Sequence, residues 1–227
     1  TMERVPWQEI PGWALSGGRD LQIMFATGFI CFLLACNVPC CGAYDGDPSK
    51  IRRELEVMKK EEPEKYRDFR YALAHIRSVN KKQAKVTSVF VAKAIADHVH
   101  EKRFRYTSDE HKVNFLSVIM GIIRVESCFN PDAVSSKNAR GLMQVHWPTW
   151  KQYFSSQEDV HDLRKNLSVG SAILRMYLDA ANNDLRAALY RYLGAKDDGY
   201  ADRVIADAVS FKKRVLSERA KDMPGTQ

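Results

Sequence analysis

From residue 48 onward, apolar positions recur at steps of three and four. Ile51, Leu55 and Met58 fall at that spacing, and Tyr66, Phe69, Leu73 and Ile76 resume it beyond Pro63. Proline is tolerated in the first turn of a helix, where its missing N–H has no partner to lose. The pattern therefore predicts two short amphipathic helices that meet at Pro63, entered through the turn-rich Asp45-Gly46-Asp47-Pro48. Residues 86–99 predict a third helix, with Val89, Phe90, Ala92, Ala96 and Val99 apolar. Thr107-Ser108-Asp109-Glu110 has the composition of a helix start. The helix it opens carries Phe115, Leu116, Val118, Ile119, Met120, Ile122, Ile123 and Val125, apolar nearly all round, which predicts the buried central helix. Further helices are expected over 163–179, 184–193 and 200–216, the last with Val204, Ile205, Ala208, Val209 and Val215 facing inward. No strand pattern of useful length appears. The fold class is all-α: a helical domain over 86–216, a charged helical extension over 44–85 and a C-terminal tail over 217–227.

The N-terminal segment has a different character. Residues 21–44 contain no charged side chain, and residues 23–36 are an apolar run of 14 that follows Arg19 and is broken by Asn37, Pro39 and Gly42. A run of that length after a basic position has the form of a secretory hydrophobic region. Cys41-Gly42-Ala43 offers small residues for signal cleavage, Leu33-Leu34-Ala35-Cys36 resembles a bacterial lipobox with Cys36 as the lipidated residue, and an uncleaved anchor is a third reading. Residues 1–43 are thus expected to be a signal peptide or a membrane or lipid anchor, with the body exported to the periplasm or cell envelope.

Composition narrows the function classes. Among 227 residues, 45% are hydrophobic and 28% charged, which excludes wholesale disorder, and 12 glycines with 8 prolines exclude collagen-like repeats. Four of the five cysteines lie before residue 43, so Cys128 has no mate in the body and packing must stabilise the domain. The four lack a matching second pair and sit in an apolar run, which argues against zinc. His98 and His100, two apart, face different sides of a helix and do not make a metal pair. No metal and no cofactor are expected. Formal net charge is +7, and residues 1–43 carry −1, so the exported part carries +8. A basic balance suits an anionic cell-wall polymer and equally nucleic acid; dispersed lysines and the lack of a recognised motif speak against nucleic acid.

Chemistry concentrates at the end of the central helix, at Val125-Glu126-Ser127. Apolar neighbours and the negative end of the helix dipole both disfavour an ionised carboxylate there. A carboxyl kept protonated near neutrality is what a general acid requires. Residues 125–144 read VESCFNPDAVSSKNARGLMQ. This string resembles the catalytic signature of the soluble lytic transglycosylase (SLT) family, a lysozyme-like fold that cleaves peptidoglycan. The matching positions are Glu126-Ser127, Phe129, Pro131, Ala133, Ser135 and Gly141-Leu142-Met143-Gln144. Asn166, Gly170 and Leu174 follow the family's next spacing. Ala188-Leu189-Tyr190-Arg191-Tyr192-Leu193-Gly194 lines up with a third motif, with Leu193 in place of an asparagine and the glycine one residue early. The resemblance covers about residues 86–215.

The resemblance implies a lysozyme-like domain with a substrate cleft and one acid, Glu126, that serves first as acid and then as base. The sugar's own 6-hydroxyl would attack and leave a 1,6-anhydro end on a MurNAc-GlcNAc glycan strand. It implies substrate contacts from Ser127, Ser135, Gly141, Gln144 and Tyr192, with Tyr192 orienting Glu126; His146, where the family often carries an apolar or small residue, is a further candidate at the groove rim. No second carboxylate fits a family motif; Asp132, Asp159 and Asp162 are the acids to consider, and glycosidases assisted by their substrate need only one. A lysozyme-type hydrolase and a non-catalytic wall-binding component of an assembly machine are the alternatives.

Overall fold

The computed structural model describes residues 47–221. Their order is α1 Pro48–Glu61, α2 Pro63–Val79, α3 Lys85–Val99, α4 Asp109–Glu126, the strands β1 Ala139–Arg140 and β2 Val145–His146, then α5 Trp147–Trp150, α6 Leu163–Ala180, α7 Leu185–Leu193 and α8 Asp198–Lys221. Short polar side chains set the helix starts. Asp47, Ser108, Asp162 and Asp184 each accept the backbone N–H two or three residues on, satisfying a donor that the helix itself leaves open. Pro48 and Pro63 occupy first turns, as the sequence predicts.

α4 is the central helix: Leu116, Ile119, Met120, Ile122 and Ile123 are fully buried. α8 lies antiparallel to it. Lys212 reaches Glu110 and Arg219 reaches Asp109 at one end, while Tyr200 meets Glu126 at the other. α2 and α3 add Phe69, Ala72, Ile76, Val91, Ile95 and Val99 to the same hydrophobic core. The charged extension over 44–85 thus shares its core with the residues after 85. Asp68 of α2, almost wholly buried, bonds His100 at 2.8 Å and Arg219 at 3.3 Å. A buried carboxylate needs such partners, and these tie α2, α3 and α8 together.

Two details differ from the sequence expectation. α8 runs past residue 216 to Lys221, because Arg219 finds Asp68 and Asp109; residues 217–221, polar apart from Ala220, carry no apolar period to announce it. A two-stranded antiparallel hairpin also forms, pairing Ala139 with His146 and Arg140 with Val145. Strands of two residues are too short for alternation to register. The apolar run at 23–36, its processing positions and residues 222–227 lie outside the described residues. Among the described residues, no helix is long and apolar enough to cross a membrane.

Candidate active site

Glu126 is the last residue of α4. Its surface is partly accessible, but protein crowds the carboxyl, and that burial pushes its pKa from an ordinary 4.5 up to about 7. The opposing influence is one hydrogen bond: Tyr200 Oη donates to Glu126 Oε1 at 2.5 Å. A carboxyl titrating near neutrality, with a donor ready for its ionised form, suits a group that gives up a proton and takes one back.

The chain turns sharply after the acid. Cys128 and Phe129 both have positive φ, 51° and 64°, in the left-handed region that bulky residues avoid. Such strain persists only where the surroundings over-determine it. Asn80 Nδ2 donates to Cys128 O at 2.6 Å, Gln83 Nε2 donates to Phe129 O at 2.5 Å, and the Phe129 ring is fully buried. The α2–α3 turn therefore clamps the loop that carries the acid's C-terminal flank.

Gly141-Leu142-Met143-Gln144 forms the turn of the β1–β2 hairpin, and its neighbours hold it from several sides. Ser127 Oγ donates to Leu142 O at 2.7 Å. Asn166 Oδ1 accepts from Met143 N at 2.8 Å, and its Nδ2 donates to Arg140 O and Val160 O at 3.0 and 2.8 Å. A Cβ on Gly170 would stand 2.6 Å from Met143 Sδ, so α6 approaches this turn closely only because residue 170 is glycine. Leu142 and Met143 are core, both fully buried.

This arrangement gives several of the expected site residues structural partners. Ser127 is fully buried with its hydroxyl on Leu142 O, so it fastens the turn. Gly141 has φ +75°, and a Cβ there would lie 2.3 Å from Asn166 Nδ2 and 2.9 Å from Val160 O; packing against α6 by itself requires the glycine. Tyr192 does not bond Glu126. Its Oη donates to Met143 O at 2.8 Å, although the nearby Glu126 charge, after burial, helps hold its own pKa well above 10. Tyr200 takes the expected place on the acid. Its signal was available: Tyr200, Val204 and Ala208 share a helix face that is buried, and a buried tyrosine hydroxyl needs a partner.

The other expected residues are spread around the hairpin. Ser135 is half-buried, and its Oγ accepts from Ala139 N at 3.0 Å, which leaves its proton to donate elsewhere. Gln144, buried and with φ 47°, donates Nε2 to Ala133 O and Gly141 O at 3.1 and 3.0 Å, which fixes the amide. His146 bonds Thr149 Oγ1 through Nδ1 at 2.7 Å, and burial lowers its pKa. Leu193 packs in the core and Gly194 caps α7. Beside β2, the partly buried rings of Trp147, Trp150, Phe154, Tyr177 and Tyr192 surround Val145, Val160 and Ile173. This aromatic cluster escaped the motif reading. Asp159 accepts from Ser155 N and Lys165 Nζ, and Asp162 caps α6, so both acids have structural tasks. Asp132 is exposed.

Comparison with known proteins agrees with this geometry. Residues 106–198 match the family model described as Transglycosylase SLT domain. A membrane-bound lytic murein transglycosylase C of Haemophilus ducreyi is 36% identical over 47% of this chain and 34% of its own length. A protein of the same name from Glaesserella parasuis is 47% identical over 22% of this chain and 15% of its own length. The chain thus spans about a third of the first of these curated relatives. No solved structure gives a significant match. From the end of the α3–α4 loop to the start of α8, across residues 106–198, this chain is similar to the transglycosylase SLT domain.

Proposed function

We propose that the protein is a peptidoglycan lytic transglycosylase of the bacterial cell envelope, with Glu126 as its one acid and base. The observation that carries this reading is the Glu126 carboxyl, held near pKa 7 by burial and bonded by Tyr200 inside the SLT segment. Protonated Glu126 donates to the glycosidic oxygen between MurNAc and GlcNAc as the C–O bond breaks. Tyr200 then stabilises the carboxylate that remains. That carboxylate takes the proton of the MurNAc 6-hydroxyl while the hydroxyl oxygen bonds the anomeric carbon, closing a 1,6-anhydro ring and restoring the acid. Two further observations support a single-acid route. Asp159 and Asp162 are engaged in structural bonds, and no acidic neighbour contributes to the shift of Glu126. The aromatic cluster beside β2 supplies the kind of apolar wall on which sugar rings rest. Placement in the envelope rests on the apolar run at 23–36 and on the membrane-bound relatives.

The test is mass spectrometry of muropeptides released from purified sacculi. Wild-type protein is expected to yield 1,6-anhydroMurNAc ends, and Glu126→Gln to be slower by at least about a hundredfold, the low end of general acid–base contributions. Reducing ends together with an essential aspartate among Asp132, Asp159 and Asp162 would identify a hydrolase with a carboxylate pair and overturn the proposal.

A further inference from the structure

A second concavity, of about 530 Å³, lies between α2 and α8. α2 lines it with Arg70, Leu73, Ala74 and Arg77, and α8 with Arg214 and Glu218. Arg70 and Arg77 are two helical turns apart, so they share one face with Leu73 and Ala74 between them. The concavity therefore has an apolar floor and a rim of three guanidiniums and one carboxylate. At 1.5 Å per residue, about 21 Å of α8 separates Arg214 from Tyr200, so this place is distinct from the surroundings of Glu126.

Several arginines elsewhere in the structure are held by acids. Arg175, Arg186 and Arg219 each pair with an aspartate. Among the described residues, Arg70, Arg77 and Arg214 have no such ion pair. Arg214 reaches only Ser78 Oγ, at 3.5 Å. Glu218, the acid in the lining, is held by Lys221 Nζ at 2.8 Å; that bond leads the causes that lower its pKa, and the Arg70 and Arg214 charges add to it weakly. Guanidinium forks match the oxygens of a phosphate, and three of them exceed what Glu218 neutralises. A free, fully hydrated anion gains nothing from Leu73 and Ala74, whereas a phosphate joined to an apolar group does.

We propose that this concavity binds the phosphate of an anionic phospholipid headgroup, with Leu73 and Ala74 receiving the glycerol and first acyl carbons. The lipid surface is the favoured source because residues 37–47 are all that separates Cys36, the end of the apolar run, from α1. Covalent geometry limits that link to about 40 Å, and α1 leads directly into the helix that carries Arg70 and Arg77. On the reading that the chain stays anchored at or before Cys36, a basic cluster close to that anchor gains affinity from anionic lipid at roughly 1 kcal/mol per side chain, about fivefold each.

The test titrates the full chain with a soluble short-chain phosphatidylglycerol, the matching phosphatidylcholine and inorganic phosphate, followed by calorimetry. Phosphatidylglycerol is expected to saturate one site, at least about tenfold more tightly than the other two ligands. Replacing all three arginines, R70Q with R77Q and R214Q, is expected to weaken it by roughly a hundredfold, the product of three such steps. Ala74→Glu keeps every arginine but sets a carboxylate on the floor, and is expected to abolish saturation. Both variants are expected to retain wild-type activity on sacculi, which also reports that they fold. Equal binding of the two lipids would mean apolar adsorption, and phosphate binding as tight as phosphatidylglycerol would mean an oxyanion site without a lipid. Either result overturns the proposal, as does unchanged binding in the triple variant.

Discussion

Replacing the proposed catalytic acid is expected to make the protein more stable, and only at the pH where the acid is charged. The shift of Glu126 from 4.5 to about 7 is a free-energy statement. At 1.36 kcal/mol per pH unit it amounts to about 3 kcal/mol, the cost of holding this carboxylate ionised in the fold. The folded pKa is raised, so the folded state binds more protons than the unfolded chain between about pH 4.5 and 7. Stability is therefore greatest below that window and declines as pH rises through it. Glu126→Gln removes the charge and keeps an oxygen for Tyr200. It should be nearly neutral at pH 4 and stabilising by about 2–3 kcal/mol at pH 8, the lower figure allowing for the solvent that reaches the partly accessible side chain. For a chain of this size each kcal/mol moves Tm by about 2–4 °C. Thermal unfolding followed by circular dichroism at pH 4 and pH 8 should thus show a Tm gain of roughly 5–10 °C at pH 8 alone. A gain of equal size at both pH values, or a loss at both, would refute the claim that burial perturbs this carboxyl.

Other perturbations separate the acid from its supports. Tyr200→Phe deletes the donor to ionised Glu126, a bond to a charged group worth about 1.5–3 kcal/mol, so the alkaline limb of the pH–rate profile should move up by roughly one to two units. Tyr192→Phe, which loosens the turn at Met143, should leave that limb in place while raising KM. Gln83→Ala and Asn80→Ala each leave a carbonyl of the Cys128–Phe129 loop without its donor, and urea unfolding should show losses of about 1–3 kcal/mol. Asn166→Ala removes three hydrogen bonds around the β1–β2 turn and should cost more than either, about 3 kcal/mol or above, by the same measurement.

Local pattern decided much of this protein. Helical period placed α1 to α4 and α6 to α8 to within a few residues, because an amphipathic stripe and a capping side chain are properties of neighbouring residues. The nearly all-round apolar set from Phe115 to Val125 implied a central helix, and Glu126 at its end stood out for the same reason. The string from Glu126 to Gln144 also carried the family. Sequence did not reveal which of these residues do chemistry and which support it. Ser127, Gly141, Asn166 and Gly170 lie dozens of residues apart at the extremes, yet all act on one four-residue turn, and only the packing of α4 and α6 around it separates scaffold from site. Tyr200 was legible as a helix residue but not as the partner of Glu126, since the two are brought together by the antiparallel contact of α4 with α8. Asn80 and Gln83 looked like the end of a charged extension, and tertiary structure made them the clamp on the loop behind the acid. Periodicity reports which face of an element is buried; it carries no information about which distant face meets it, and both the pKa of Glu126 and the shape of its surroundings are set by that meeting.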